Sequence, residues 1–325
     1  MTPATERAGL LFGAAAALIW GGYLAVTRFA VGVGLHADDL AFLRYATAGL
    51  LMAPWFMRHR PLAAGGVGWP RGLLLAALAG PPFVLVGASG FLFAPLAHSA
   101  VIQLGTLTLT SFALSAGLLG EPVRGHRLAG VMTIVAGLAI TAGPGLLGTG
   151  AETWKGDLLF ALAGSMWALF TVLHRRWRIP AAPTTAVVSV LSGALYTPVY
   201  LAGAGARLLA TDPWLLSALA VMLGGLAGVA ALFAFSHAVH RLGSARASLF
   251  PALAPGIAIL IGVPLTGETP STLQLAGVAI VSVGLLLAVR KGRPPAASSS
   301  STASASPQST TSGRRRRSTR ERVGM

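Results

Sequence analysis

Cysteine is absent from this 325-residue chain. No disulfide framework and no cysteine metal site can form, although that leaves the redox compartment undecided. Charge is scarce as well. Only 10% of residues are Asp, Glu, Lys or Arg, where an average soluble domain carries about 25%. No phosphate-binding glycine loop is present, which speaks against direct ATP hydrolysis. No HExxH motif, no GxSxG setting and no metal-spaced cluster appears. The apolar segments contain no paired carboxylates and no nucleophile–base pair, which speaks against an intramembrane enzyme. No cofactor is implied.

What the chain has in abundance is apolar sequence, at 54% of residues. Runs near 20 residues recur along its length, each able to cross a hydrocarbon core of roughly 30 Å as a helix. The expected spans are 8–29, 37–57, 71–93, 97–119, 126–146, 154–175, 184–204, 214–238, 245–266 and 270–290. Backbone groups in lipid must bond within their own segment, so each span is expected to be helical. The first span is too long for a secretory h-region and lacks a convincing cleavage site, so it is expected to remain in the mature protein.

The two halves are copies offset by 147 positions. Trp20 matches Trp167 (167 − 20 = 147), Arg28 matches Arg175, and Gly120-Glu121 matches Gly267-Glu268. Leu128-Ala129-Gly130-Val131 matches Leu275-Ala276-Gly277-Val278. Five spans per copy is odd, so the second copy must enter the bilayer upside down. Inverted repeats around a central site are a common build of secondary transporters.

The net charge of +15 suggests a polyanion until its distribution is read. Of the 24 Lys and Arg residues, 20 fall on one side of the spans, among them Arg58, Arg60, Arg71, Arg175, Arg176 and Arg178. The positive-inside rule makes that side, with both termini, cytoplasmic. Asp38, Asp39, Glu152, Asp157, Asp212 and Glu268 lean to the other side. The charge therefore records topology in a cell membrane, and no nucleic-acid partner is implied. Residues 1–146 and 147–293 read as the two repeats. Residues 294–325, Ser-rich and ending in an arginine run, read as a disordered basic tail. That tail is either a topology-reinforcing charge block or a contact to anionic headgroups.

Several local patterns together resemble the EamA-type branch of the drug/metabolite transporter superfamily. They are Ile19-Trp20-Gly21-Gly22, Leu40-Ala41-Phe42-Leu43-Arg44-Tyr45, Gly120-Glu121 and Leu128-Ala129-Gly130, with Gly156-Asp157-Leu158-Leu159, Ser165-Met166-Trp167, Gly267-Glu268 and Leu275-Ala276-Gly277 in the second half. The resemblance spans residues 8–290. It implies an all-α membrane protein of ten transmembrane helices in two inverted five-helix repeats. The cavity would be lined by the first, third, fourth, sixth, eighth and ninth helices. It further implies an exporter or facilitator of small metabolites such as amino acids. One departure stands out: the family's mid-span proline in the fourth helix is replaced by Leu104-Gly105-Thr106-Leu107-Thr108, while the ninth keeps Pro251 and Pro255. The first span also lacks the carboxylate that small multidrug-resistance relatives use for proton coupling.

Helix breakers at mid-span are the best sequence pointers to a transport site. Pro81 and Pro82, and Pro251 and Pro255, are candidate hinges, or static kinks. Trp20 and Trp167 are candidate aromatic walls, or packing residues between helices. Tyr23 shares Trp20's helical face. Arg44 is the charged residue inside a span. It either binds a substrate carboxylate or snorkels toward Asp38 and Asp39. Gln103 and Thr106 share one face and could bond a polar substrate or a neighbouring helix. His237 is the histidine closest to a proton-sensitive role. Glu121 and Glu268 read as helix-boundary residues. Gly130, Gly137, Gly277 and Gly284 offer faces for scaffold packing or for a homodimer. The competing reading is a non-transporting scaffold or sensor that acts through its basic tail.

Overall fold

The computed structural model describes residues 3–120, 125–146, 152–203, 205–242, 247 and 250–289. Glu121 and the tail 294–325 lie outside the described residues. Every regular element among them is helical: α1 (Pro3–Gly32), α2 (Ala37–Arg58), α3 (Trp69–Ala79), α4 (Pro81–Gly90), α5 (Leu96–Leu119), α6 (Gly125–Leu146), α7 (Thr153–Arg176), α8 (Ala181–Gly203), α9 (Pro213–Leu219), α10 (Ala231–Leu242), α11 (Ala254–Thr266) and α12 (Thr272–Val289). Among the described residues, seven helical segments are long and apolar enough to cross a membrane: Thr5–Gly32, Ala37–Arg58, Trp69–Gly90, Leu96–Leu118, Thr153–Arg176, Ala181–Gly203 and Pro213–Leu242. Three further apolar helices are shorter: Leu128–Thr141, Pro251–Thr266 and Thr272–Leu287.

The repeat organises the packing. The main pairings are α6 with α12, α5 with α7, α1 with α11, and α2 with α8. A shift of 147 carries α5 onto α11 and α1 onto α7, so the α5–α7 pair maps onto the α11–α1 pair. The pairs α6–α12 and α2–α8 each join a helix to its own copy. Small residues set their directions. A methyl group on Gly137 would sit 3.1 Å from the Gly277 carbonyl oxygen, and one on Gly284 would sit 3.0 Å from that of Gly130. Ascending numbers on α6 thus meet descending numbers on α12, so a helix and its copy run antiparallel. Gly49 against Ser189 and Gly193 against Tyr45 show the same for α2 and α8. Glycine is what permits backbones to approach this closely in a bilayer, where dispersion rather than the hydrophobic effect must hold helices together.

The third helix of each copy is irregular at the same depth. In the first, Gly80 (φ −93°, ψ −150°) separates α3 from α4, and Pro81 and Pro82 open the new helix. In the second, Ala220–Ala230 is a π-helix continuous with α9 and α10. Subtracting 147 from those bounds gives 73–83, the stretch that holds the Gly80 break. The carbonyl freed at Ala79 accepts a hydrogen bond from the Tyr45 hydroxyl. The two irregular stretches have different causes. Proline removes a donor and clashes with the preceding turn, whereas the π segment contains Gly224, Gly225 and Gly228, of which Gly224 and Gly228 press against α2. The ninth span departs from regularity as its prolines suggest, with a 3₁₀ turn at Pro251–Leu253 ahead of α11. Both copies end their fourth helix on a left-handed glycine, Gly120 (φ 64°) and Gly267 (φ 71°), the conformation glycine adopts without strain.

Candidate functional site

A cleft of about 510 Å³, counting its mouth, lies between α2, α3, α7, α8 and α10. Arg44, Tyr45 and Ala79 border it at mid-bundle, and Gly228 and Leu232 close another side. Trp167, Phe170 and His174 form one helix face along it, and Thr184, Thr185, Val188 and Ser189 the facing one. It reaches His174 and Ala181, at the end of the bundle where α7 and α8 are joined. That is the arginine-rich end of the sequence.

Arg44 is the most consequential of these residues. It is 5% exposed, and its guanidinium carbon lies 4.7 Å from the Tyr23 ring centre, 5.5 Å from Tyr45 and 6.0 Å from Phe83. Arg44 therefore turns into the bundle and does not snorkel toward Asp38 or Asp39. Those carboxylates are engaged elsewhere. Asp39 accepts from the Tyr200 hydroxyl at 2.5 Å and from Arg207 at 3.2 Å, and Asp38 pairs with Arg207. Among the described residues, the buried Arg44 Nε and Nη1 and His174 Nδ1 have no hydrogen-bond partner.

The other expected residues fall in several places. Trp167 lines the cleft, with its ring 4.9 Å from Phe83 and 5.2 Å from Phe170. Tyr23 reaches its edge only by stacking on Arg44. Trp20 packs 5.3 Å from Phe235 and does not border the cleft. Gln103 is buried where α4, α5 and α7 meet: its side-chain oxygen faces Gly87 and its backbone carbonyl presses on Gly164. Thr106 lies half-buried on α5, outside the cleft lining. His237 is exposed, with Nδ1 2.8 Å from the Phe233 carbonyl and its ring against Phe12. Pro81 is buried at the helix break and Pro82 is exposed. Pro255 is buried in the first turn of α11, and Pro251 is half-buried in the turn before it.

The opposite end of the bundle is held by polar ties that the sequence did not reveal. Arg28 pairs with Glu268 and donates to the Phe91 carbonyl at 2.8 Å, while Glu268 accepts from the Leu96 N–H at 3.0 Å. One carboxylate thus joins the end of α11, the end of α1 and the start of α5, and it sits at a helix N-terminus where negative charge is favoured. His98 and Asp157, both buried, lie 2.7 Å apart and join α5 to α7. Arg207 ties the region after α8 to the start of α2. Its hydrogen bond to Asp38 raises its pKa above the ordinary arginine value, so Arg207 stays cationic. Partners as far as 240 positions apart leave no local spacing signal.

An all-helical apolar bundle, with antiparallel copies and a cleft holding a buried cation, has the form of a multi-pass membrane transporter. The EamA-like transporter family model matches residues 7–143 and again 154–290, two stretches 147 apart, and the chain belongs to that family. Curated relatives are similar over most of their length. An uncharacterized protein of Pseudomonas aeruginosa is 29% identical over 306 residues, covering 89% of this chain and 97% of that one. An uncharacterized transporter of Archaeoglobus fulgidus is 27% identical, covering 84% and 94%. The uncharacterized inner membrane transporter YedA of Escherichia coli is 27% identical, covering 85% and 90%. A solved crystal structure shares the fold, with TM-score 0.55 at 21% identity over 87% of this chain and 96% of that one.

Proposed function

We propose that this protein is a secondary transporter of a small metabolite, of about amino-acid size, working by alternating access. Ten spans form two inverted repeats, 1–146 and 147–293, with both termini and the tail 294–325 in the cytoplasm. The cleft then opens inward, and the protein serves as an exporter or facilitator. The broken third span and the Pro251–Pro255 turn act as hinges.

One observation carries this reading. A cleft bordered by Arg44 and Tyr45 of the first copy and by Trp167, Phe170, Thr184 and Ser189 of the second lies between the two copies. Its lining residues have counterparts 147 positions away, of which Thr27, Ala41, Leu191 and Ser192 are buried, Trp20, Tyr23 and Phe42 half-buried, and Gly34 and Leu226 exposed. The cleft thus draws its walls from both copies of a pseudo-symmetric bundle. If the two repeats exchange conformations, the cleft closes here and opens on the other face, which is alternating access in its simplest form. The ties Arg28–Glu268, His98–Asp157 and Arg207–Asp38 are the contacts that must part.

The natural absence of cysteine makes a clean test available. Ser189→Cys in liposomes, treated with a bulky charged thiol reagent, loses counterflow of its substrate, whereas the untreated variant and the treated parent retain it. Counterflow that survives full modification means the cleft is not the path.

A further inference from the structure

We infer that the cleft selects a small monocarboxylate with an uncharged, apolar or aromatic body, held by Arg44. This rests on reading the cleft as the substrate site, and it narrows that reading away from zwitterionic amino acids.

The first reason is an uncompensated charge. Arg44 is 5% exposed within a membrane-spanning helix, and no Asp or Glu is among the residues lining the cleft. A buried cation is costly unless an anion or several acceptors attend it. The two nearest carboxylates on its own helix are committed to Arg207 and Tyr200. The aromatic stack of Tyr23, Tyr45 and Phe83 offers ring faces, which attract the cation. Stacking occupies the flat face of a guanidinium, whereas its N–H donors project in the plane. Nε and Nη1 are buried and have no hydrogen-bond partner among the described residues, while the Tyr23 and Tyr45 side chains also bond the guanidinium. The residue is therefore positioned and charged, with two buried donors that a carboxylate entering from the cleft would satisfy.

The second reason is what the walls do not offer. An ammonium group needs a carboxylate or several free acceptors. The Thr184 and Thr185 hydroxyls donate to their own helix, at Pro180 and Ala181, each at 2.9 Å. No acidic side chain stands opposite Arg44 across the cleft. Trp167, Phe170, Val188 and Leu232 present apolar surface instead. One cation beside walls that are largely apolar and aromatic, with Thr184, Thr185, Ser189 and His174 as their polar members, matches one negative charge on an apolar body.

The test uses purified full-length protein and five probes: phenylacetate, phenylacetamide, phenethylamine, phenylalanine and inorganic phosphate. Calorimetric titration is expected to show phenylacetate bound at least roughly tenfold more tightly than its neutral amide, the factor a single charge-assisted contact supplies. Arg44→Gln is expected to erase that preference, and Arg44→Lys to keep part of it. The acid-to-amide comparison is made on the unmodified protein, so it stands even if the variants fold poorly. Equal binding of acid and amide, tighter binding of phenylalanine or phosphate, or no binding of phenylacetate each overturns the assignment. Counterflow of the same probes separates the two readings. Phenylacetate that binds through Arg44 but is never carried refutes the transporter while sparing the anion site. Carriage of the amide or amine in preference to the acid does the reverse.

Discussion

Trp167→Ala is expected to slow substrate flux about tenfold, and Trp20→Ala is expected to do the same, although only Trp167 lines the cleft. A tenfold effect corresponds to about 1.4 kcal/mol, within reach of one aromatic contact and its buried area. The two indoles differ in the present state. Trp167 stands between Phe83 and Phe170 at the cleft wall, whereas Trp20 rests on Phe235. They are 147 positions apart, so exchange of conformations between the repeats brings Trp20 to the wall of the outward-facing cleft. The expected asymmetry is directional. Trp167→Ala weakens binding from the face that is now open, and Trp20→Ala from the other, both measured in oriented liposomes at matched protein levels. Trp20→Ala with full activity in both directions shows that the repeats do not trade places.

Gly80→Ala is expected to destabilise the fold by about 3 kcal/mol, the upper part of the range for forcing atoms into packed space. A methyl group there would collide with the Ala76 carbonyl oxygen and with the Ser192 hydroxyl. The first obstacle is backbone, which cannot turn aside as a side chain would. The second lies on α8, so relief by movement of α3 strains the α3–α8 contact. The break cannot drift along the chain either, because Pro81 and Pro82 fix where the new helix begins. Melting in detergent is the measure, with Gly117→Ala as the control, since a methyl group on Gly117 would meet open space. An unchanged melting temperature for Gly80→Ala shows that the third span is not held broken by glycine at this position.

Much of the scaffold was legible in the sequence because its causes are local or periodic. Apolar runs specify helices in lipid, a constant offset exposes the duplication, and Gly80-Pro81-Pro82 announces a break. The site was less legible. Trp167, Tyr23 and Arg44 come together as their spans suggest. Which way Arg44 turns depended on Arg207 and Tyr200 having claimed Asp38 and Asp39, and those partners lie more than 160 positions away. Thr184, Thr185 and Ser189 look like ordinary helix residues in α8 and join the cleft only because α8 packs against α2. His237 sits among polar neighbours near a helix end, and periodicity alone did not assign it to an outer face. The π-helix at Ala220–Ala230 has no proline to announce it. Its trace is the closely spaced Gly224, Gly225 and Gly228, the same signal that marks a plain close contact.

Inversion of the two copies across the bilayer is the claim on which cleft, exchange and transport all rest. Val33 and Pro180 are exposed, lie in matching loops, and are 147 positions apart (180 − 33 = 147). In a chain without native cysteine, Val33→Cys and Pro180→Cys can each be probed in intact cells with a membrane-impermeant thiol reagent. Position 33 is expected to label at once from outside, and position 180 only after the membrane is opened. Labelling of both positions from the same face contradicts the account.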